Sequence, residues 1–199
     1  MGPRTRCAAA TSNSAQGGWG DGDYLWVTDH ARQLVEFTDG HLEVLPKPTR
    51  EHQRIVAYLY SALQAYLRRT GGEVLFAPLR LRIREGKFRE PDLILLRDSQ
   101  DVRSGDRFWT GADLVVEVVG PDDPGRDLVQ KRGDYAEADI PEYWIVEPAT
   151  GTITVLTLAG GTYAERGVFE RGAHAWSEIL DGFGVAVDVD DVLRAGKLR

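Results

Sequence analysis

A chain of 199 residues can bury roughly two-thirds of the surface its unfolded form exposes, so it needs no disulfide staple, and its single cysteine, Cys7, offers none. The balance of 24 Lys and Arg against 31 Asp and Glu gives a formal charge of -7, the reverse of what a protein coating nucleic acid through many phosphates carries. No apolar stretch approaches the roughly 20 residues of a membrane span, and residues 1–22 lack the apolar centre of a secretory signal, so a cytoplasmic protein is expected.

Residues 1–22 are rich in Ala, Ser, Gly and Thr without periodicity and read as a mobile tail, leaving 23–199 as one domain. Leu34 to Thr38 and His41 to Leu45 flank Asp39-Gly40, whose tolerance of positive φ predicts a tight hairpin. From Thr49 to Arg69 the apolar positions Ile55, Val56, Leu59, Leu63 and Leu67 recur on one helical face, and Gly71-Gly72 ends the run. Val74 to Ile83, Leu93 to Leu96 and Leu114 to Val119 predict three strands. Pro121 and Pro124 break the chain, after which Leu128, Lys131, Tyr135 and Ala138 recur at helical spacing up to Pro141, as in a crossover helix. Glu142 to Glu147 and Thr152 to Leu158 read as strands joined by a turn, followed by shorter strand-like pieces at Tyr163 to Phe169 and Ile179 to Val189. The pattern predicts an α/β fold with a mixed central β-sheet flanked by helices, preceded by an N-terminal hairpin and followed by C-terminal strands.

The chemistry concentrates at Glu117, set inside Leu114-Val-Val-Glu-Val-Val119, where a lone carboxylate costs several kcal/mol of desolvation unless a cation compensates it. Asp92 stands at the mouth of another apolar run, 25 positions earlier, and can meet Glu117 only if their strands are neighbours with both side chains on one face. Two such carboxylates suit a hard divalent ion, Mg2+ or Mn2+, and phosphodiester hydrolysis is chemistry that such an ion supports. Lys131 shares a helical face with Leu128 and Tyr135, so its ammonium either returns to the same opening, to assist the attacking water, or pairs with Asp127 or Asp134 on an exposed face.

Two further residues are candidates for supporting roles. His52 falls on the apolar side of the first helix, where a packed, hydrogen-bonded histidine is the commoner outcome; Glu36, in the hairpin, serves either as an outer carboxylate of the site or as a surface partner of Arg32 or Arg50. Arg80, Arg82, Arg84, Lys87 and Arg89 before Asp92, with Arg126, Lys131 and Arg132 after Glu117, read either as a basic lip around the acids or, with Arg at alternate positions 80, 82 and 84, as the wet face of a strand. The five Trp residues are scattered and read as core packing, not as a platform for bases.

The ordered set Val35-Glu-Phe-Thr-Asp-Gly40, His52, Glu90-Pro-Asp92, Asp113-Leu-Val-Val-Glu117-Val-Val, Lys131 to Tyr135 and Pro141-Glu-Tyr-Trp-Ile-Val-Glu-Pro148 resembles the Uma-type "putative restriction endonuclease" family over about residues 24–193. That family is similar to a branch of the PD-(D/E)xK nuclease superfamily, which implies a restriction-endonuclease-like core and a carboxylate, carboxylate, lysine site. The resemblance implies that Asp92 is the Asp of the PD element, that Glu117 is the second acid, and that Lys131 is a migrated lysine, because Val119 holds the place where ExK has its lysine. Gly120 stands where similar sequences lead one to expect Ser. The reading is a Mg2+- or Mn2+-dependent endonuclease acting on nucleic acid, DNA in the first place, as a homodimer with no membrane partner. Two alternatives stand beside it: an inactive binding module on the same fold, and an oligomeric structural or regulatory protein that associates through the Tyr143-Trp144 hairpin and the C-terminal strands.

Overall fold

A computed structural model of the chain describes residues 17–121, 125–180 and 186–197. The order of elements is α1 (Asp21–His30), β1 (Val35–Thr38), β2 (His41–Val44), α2 (Arg50–Thr70), β3 (Glu73–Phe76), β4 (Arg80–Arg84), β5 (Lys87–Arg89), β6 (Leu93–Leu96), β7 (Phe108–Trp109), β8 (Leu114–Val118), a π-helical segment (Arg126–Gln130) running straight into α3 (Lys131–Glu137), β9 (Glu142–Glu147), β10 (Thr152–Ala159), β11 (Thr162–Phe169), β12 (His174–Trp176), β13 (Ala186–Asp188) and α4 (Val189–Lys197). Among the described residues no helix is long and apolar enough to cross a membrane.

The central sheet has six strands in the order β11-β10-β9-β8-β6-β3. It is mixed: β8 and β9 are parallel, joined by the crossover through α3, and the other neighbours are antiparallel. Alternation along β6 and β8 decides what each face holds. Leu93, Leu95, Leu114, Val116 and Val118 pack with Ile55, Leu59 and Leu63 of α2 and with Val189, Val192 and Leu193 of α4. Ile94, Leu96 and Val115 turn to the other face, against Tyr135 and Ile140 and against Leu81 and Ile83 of β4. Both faces are covered, so β6 and β8 are buried along their whole length and, Glu117 apart, apolar instead of alternating with polar residues.

A second sheet, β2-β1-β5-β4-β7, carries the N-terminal hairpin, with Tyr24 and Val27 of α1 packed on Phe37, Leu42 and Phe88. Asp39 and Gly40 both have positive φ, 45° and 84°, as the two-residue turn requires. In α2 the Thr49 hydroxyl caps the helix by accepting from His52 N at 3.2 Å, and Gly71, at φ 91°, closes the other end.

Several expectations need correction. The run Val74 to Ile83 is two strands in different sheets, divided where Pro78, with no N–H to donate, interrupts the ladder. β5 lies inside the segment read as a basic lip or a wet strand face, and its three residues are buried. The tail ends earlier than expected: residues 1–16 lie outside the described residues, but Gly17 donates to Gly40 O at 2.8 Å and α1 begins at Asp21. Ile179 and Leu180 belong to a turn, 181–185 lie outside the described residues, and Val189 opens a helix instead of ending a strand. Tyr143 and Trp144 are buried within the chain, where they cannot form the interface of the regulatory reading.

Candidate active site

The site begins with strand register. Leu93 pairs with Val116 in the antiparallel β6–β8 ladder, so one step outward Asp92 stands opposite Glu117. Asp92 shares the parity of Ile94, and Glu117 that of Val115, so both carboxylates leave the sheet on the face covered by the crossover helix. Backbone groups lock the pair: Val118 N–H donates to Asp92 Oδ2 at 2.8 Å, and Asp92 N–H approaches Glu117 Oε2 at 3.4 Å.

Lys131 enters from the start of α3 and is buried. Its Nζ lies 2.9 Å from Glu117 Oε1, 3.1 Å from Asp127 Oδ1 and 3.6 Å from Glu36 Oε1. The pairing with Asp127 holds, but on a buried face that also reaches Glu117; Asp134 pairs elsewhere, with Lys87 and Arg89. The Tyr135 hydroxyl, one helical turn on, also donates to Glu117 Oε1. His52 comes from the opposite side, from the first turn of α2, and its Nε2 donates to Asp92 Oδ2 at 3.0 Å while its buried Nδ1 has no partner. Glu36 is buried between Lys131 and Arg89, 3.7 Å from the Arg89 Nε, which corrects its alternative reading as a surface partner of Arg32 or Arg50.

The electrostatics follow from burial. Desolvation raises the Glu117 carboxyl well above its ordinary range, and the attraction of Lys131 offsets that only in part while Asp92 and Asp127 add to it. Burial pulls the Lys131 ammonium down, but Glu117, Glu36 and Asp127 together outweigh it and hold the amine charged. His52 shows the same contest: burial disfavours its charge, and the hydrogen bond and charge of Asp92 prevail, so its pKa is raised. Glu90, buried beside Val35 N–H at 2.9 Å, is pushed up to about 8 by desolvation.

One ammonium therefore serves three carboxylates, with Asp92 beside them, and the surplus is negative. That surplus, on hard oxygen donors, fits a divalent cation. Among the described residues no group of three or more His, Cys, Asp or Glu has the arrangement of a metal cage. Two carboxylates, Asp92 and Glu117, are what Mg2+ asks of a protein when waters and substrate phosphate complete its shell.

Asp92, Glu117, Lys131, His52, Glu90 and Asp127 line a cavity of about 910 Å3, walled by Leu45, Pro46, Pro48, Val119, Pro121 and Pro148; Glu36, Tyr135 and Arg89 lie behind them. Of the expected basic lip, Arg126 and Lys131 line the cavity, whereas the residues before Asp92 form a different structure. Arg80 and Arg107 pair with Asp29, Arg82 with Asp21, Arg84 with Asp39 and Glu137, Lys87 with Asp134 and Glu137, and Arg89 with Asp134. These ion pairs tie the second sheet to α1 and α3. A Cβ at Gly120 meets no atom within 4 Å, so packing alone leaves room for the serine expected there.

Sequence reasoning does not single out Tyr135 or Asp127 as members of the site, and it places Arg89 only in a basic lip or on a wet strand face. Helical spacing of Asp127, Lys131 and Tyr135 was visible, but read as an ion pair beside an apolar stripe. Arg89 was hidden because its strand was missed.

Comparison with known proteins gives a family and a fold. The family model Uma2, described as "Putative restriction endonuclease", matches residues 22–188. A solved chain described as a "putative nuclease belonging to DUF820", from Anabaena variabilis, superposes with a TM-score of 0.70 at 15% identity, covering 86% of this chain and 98% of that one. This likeness carries the restriction-endonuclease-like α/β fold. No curated protein matches.

Proposed function

The chain belongs to the Uma2 family of "putative restriction endonucleases", and from that premise we propose that it is an endonuclease dependent on Mg2+ or Mn2+, hydrolysing phosphodiester bonds of DNA in the cytoplasm. A single domain of residues 23–199 carries the activity. The observation behind this reading is the meeting of Asp92, Glu117 and Lys131 at one cavity wall from two neighbouring strands and the following helix.

In this reading Asp92 and Glu117 hold the metal. A divalent ion supplies charge neutralisation on the phosphate and an acidified water. The chain's own groups do the rest. Val118 N–H and His52 fix one oxygen of Asp92, leaving the other without a hydrogen bond among the described residues. Lys131 and Tyr135 hold Glu117 Oε1, so the rotamer of the carboxylate is set before substrate arrives. The Lys131 ammonium, kept charged by its three acids, sits where it can orient a water and oppose charge developing on phosphorus. The apolar walls keep bulk water from the reacting group and strengthen these interactions.

Cleavage of DNA and RNA substrates by the purified protein with Mg2+ or Mn2+, compared with Glu117→Gln and Lys131→Ala, tests the proposal. Loss of cleavage in both variants is expected. Cleavage that survives them overturns the assignment, and metal binding without hydrolysis moves the protein to the binding-module reading. A homodimer belongs to the same proposal; the outermost position of β11 in the six-stranded sheet favours it, since such an edge is where strands of two chains can pair. A monomeric mass by light scattering across micromolar concentrations counts against it.

A further inference from the structure

Most of the basic residues described here are tied to carboxylates, so those that are not stand out by their location. Among the described residues, Arg32, Lys47, Arg50, Arg54, Arg68 and Lys197 have neither ion pair nor hydrogen bond, and all but Arg54 are exposed. Lys47, Arg50 and Lys197 line the 910 Å3 cavity. They come from three places: the β2–α2 loop, the first turn of α2 and the end of α4. Lys47 also lines a second hollow of about 230 Å3, which shares Pro46, Pro48 and Glu90 with the first and is completed in part by Arg32 and by Arg80, whose Nε is buried without a partner.

The charge of the larger cavity is divided. Its floor is acidic, with Asp92, Glu117 and Asp127, and Glu51 and Glu147 also lie on its walls; its free cations stand on exposed positions. A phosphate reaching the floor is repelled until a metal covers the acids, whereas phosphates on either side of it meet unneutralised ammonium and guanidinium groups. Among the described residues the lining contains no Phe, Tyr, Trp, Asn or Gln. It therefore lacks the flat faces on which bases stack and the amides that read adenine edges.

We propose that Lys47, Arg50 and Lys197 form a phosphate-tracking lip that grips the DNA backbone next to the scissile bond, with Arg32 meeting the following phosphate, and that this grip is indifferent to base sequence. The proposal rests on the nuclease reading and names how its substrate is held. Positive groups on the rim supply the attraction that the chain's acidic total withholds elsewhere, and they do so at the mouth of the candidate site.

Fluorescence anisotropy of labelled oligonucleotides, single-stranded and duplex, each in two unrelated sequences, tests this at several salt concentrations with Ca2+ present and again with EDTA. The combined variant Lys47→Ala/Arg50→Ala/Lys197→Ala is expected to lose on the order of tenfold or more in affinity and to flatten the slope of log K against log salt by about 2. Arg68→Ala, a free cation at the far end of α2, is expected to bind as wild type. Affinities that agree within about threefold between sequences support backbone recognition. Wild-type binding by the triple variant, an equal loss in Arg68→Ala, a large sequence preference, or no binding by the parent protein overturns the lip. Cleavage assayed separately keeps the two readings apart: rim-dependent binding without cleavage sinks the hydrolytic reading alone, and Glu117-dependent cleavage with rim-independent binding sinks the lip alone.

Discussion

His52 donates from Nε2 to Asp92 Oδ2 at 3.0 Å, bridging the first turn of α2 to the edge of β6 across 40 positions of sequence. The contact fixes the oxygen that also accepts from Val118 N–H, so it orients the carboxylate without touching substrate. His52→Ala is expected to lower kcat/KM by about ten- to a hundredfold, with partial recovery in His52→Gln, whose amide still donates. Equal loss in both variants, tracking a fall in Tm, marks His52 as packing only.

Metal addition is expected to stabilise the protein through Asp92 and Glu117. At a free Mg2+ or Mn2+ concentration of about 100 times Kd the gain is about 2.7 kcal/mol, which differential scanning fluorimetry reads as a rise in Tm of several degrees. Asp92→Asn and Glu117→Gln are expected to lose the rise. A rise that persists in both variants places the metal elsewhere.

Lys131 neutralises acids that have no water to fall back on. Lys131→Ala leaves Glu117 and Asp127 buried without their cation and is expected to cost about 3–5 kcal/mol, seen as a Tm lower by roughly 6–20 °C. Lys131→Met combined with Glu117→Leu is expected to regain part of that stability while remaining inactive, because an apolar pair fits the strand face that Val115 shares. A stable, folded Lys131→Ala protein contradicts the charge balance described here.

Asp101 gives a pH-dependent contribution away from the site. The Arg103 side chain and backbone N–H hold its carboxyl at about 2, below the ordinary 3.8. The folded state thus releases this proton more readily than the unfolded one, so the stabilisation is present above pH 4 and is lost as pH falls through about 2. Asp101→Asn is expected to be less stable than the parent at pH 7, with the gap closing between pH 4 and 2 in urea titrations. A gap that stays constant over that range removes the ion pair as its cause.

Much of this architecture is written in local pattern. Asp39-Gly40, the five-residue stripe of α2 and the apolar runs around Asp92 and Glu117 each state one structure. The hidden parts have physical reasons. α1 buries only Tyr24 and Val27, too little apolar surface for a periodic signal. α4 begins in a valine-rich stretch whose β-branched side chains favour strands, and only packing on α2 turns it into a helix. At the site, two acids were legible because burial without compensation is anomalous. Tyr135 and Arg89 were not, because what they touch depends on how α3 and β5 close over the sheet, a long-range fact that no neighbouring residue encodes. The basic cluster misled for the same reason, since its acidic partners lie up to 53 positions away.

The parallel pairing of β8 with β9 has a consequence during synthesis. A nascent chain that has emerged only as far as β8 already carries both acids, yet the crossover bearing Lys131 and Tyr135 gains its contact with Tyr143 only when residues 142–147 follow and bind beside β8. The candidate site is completed late, and truncated translation products end before it is complete.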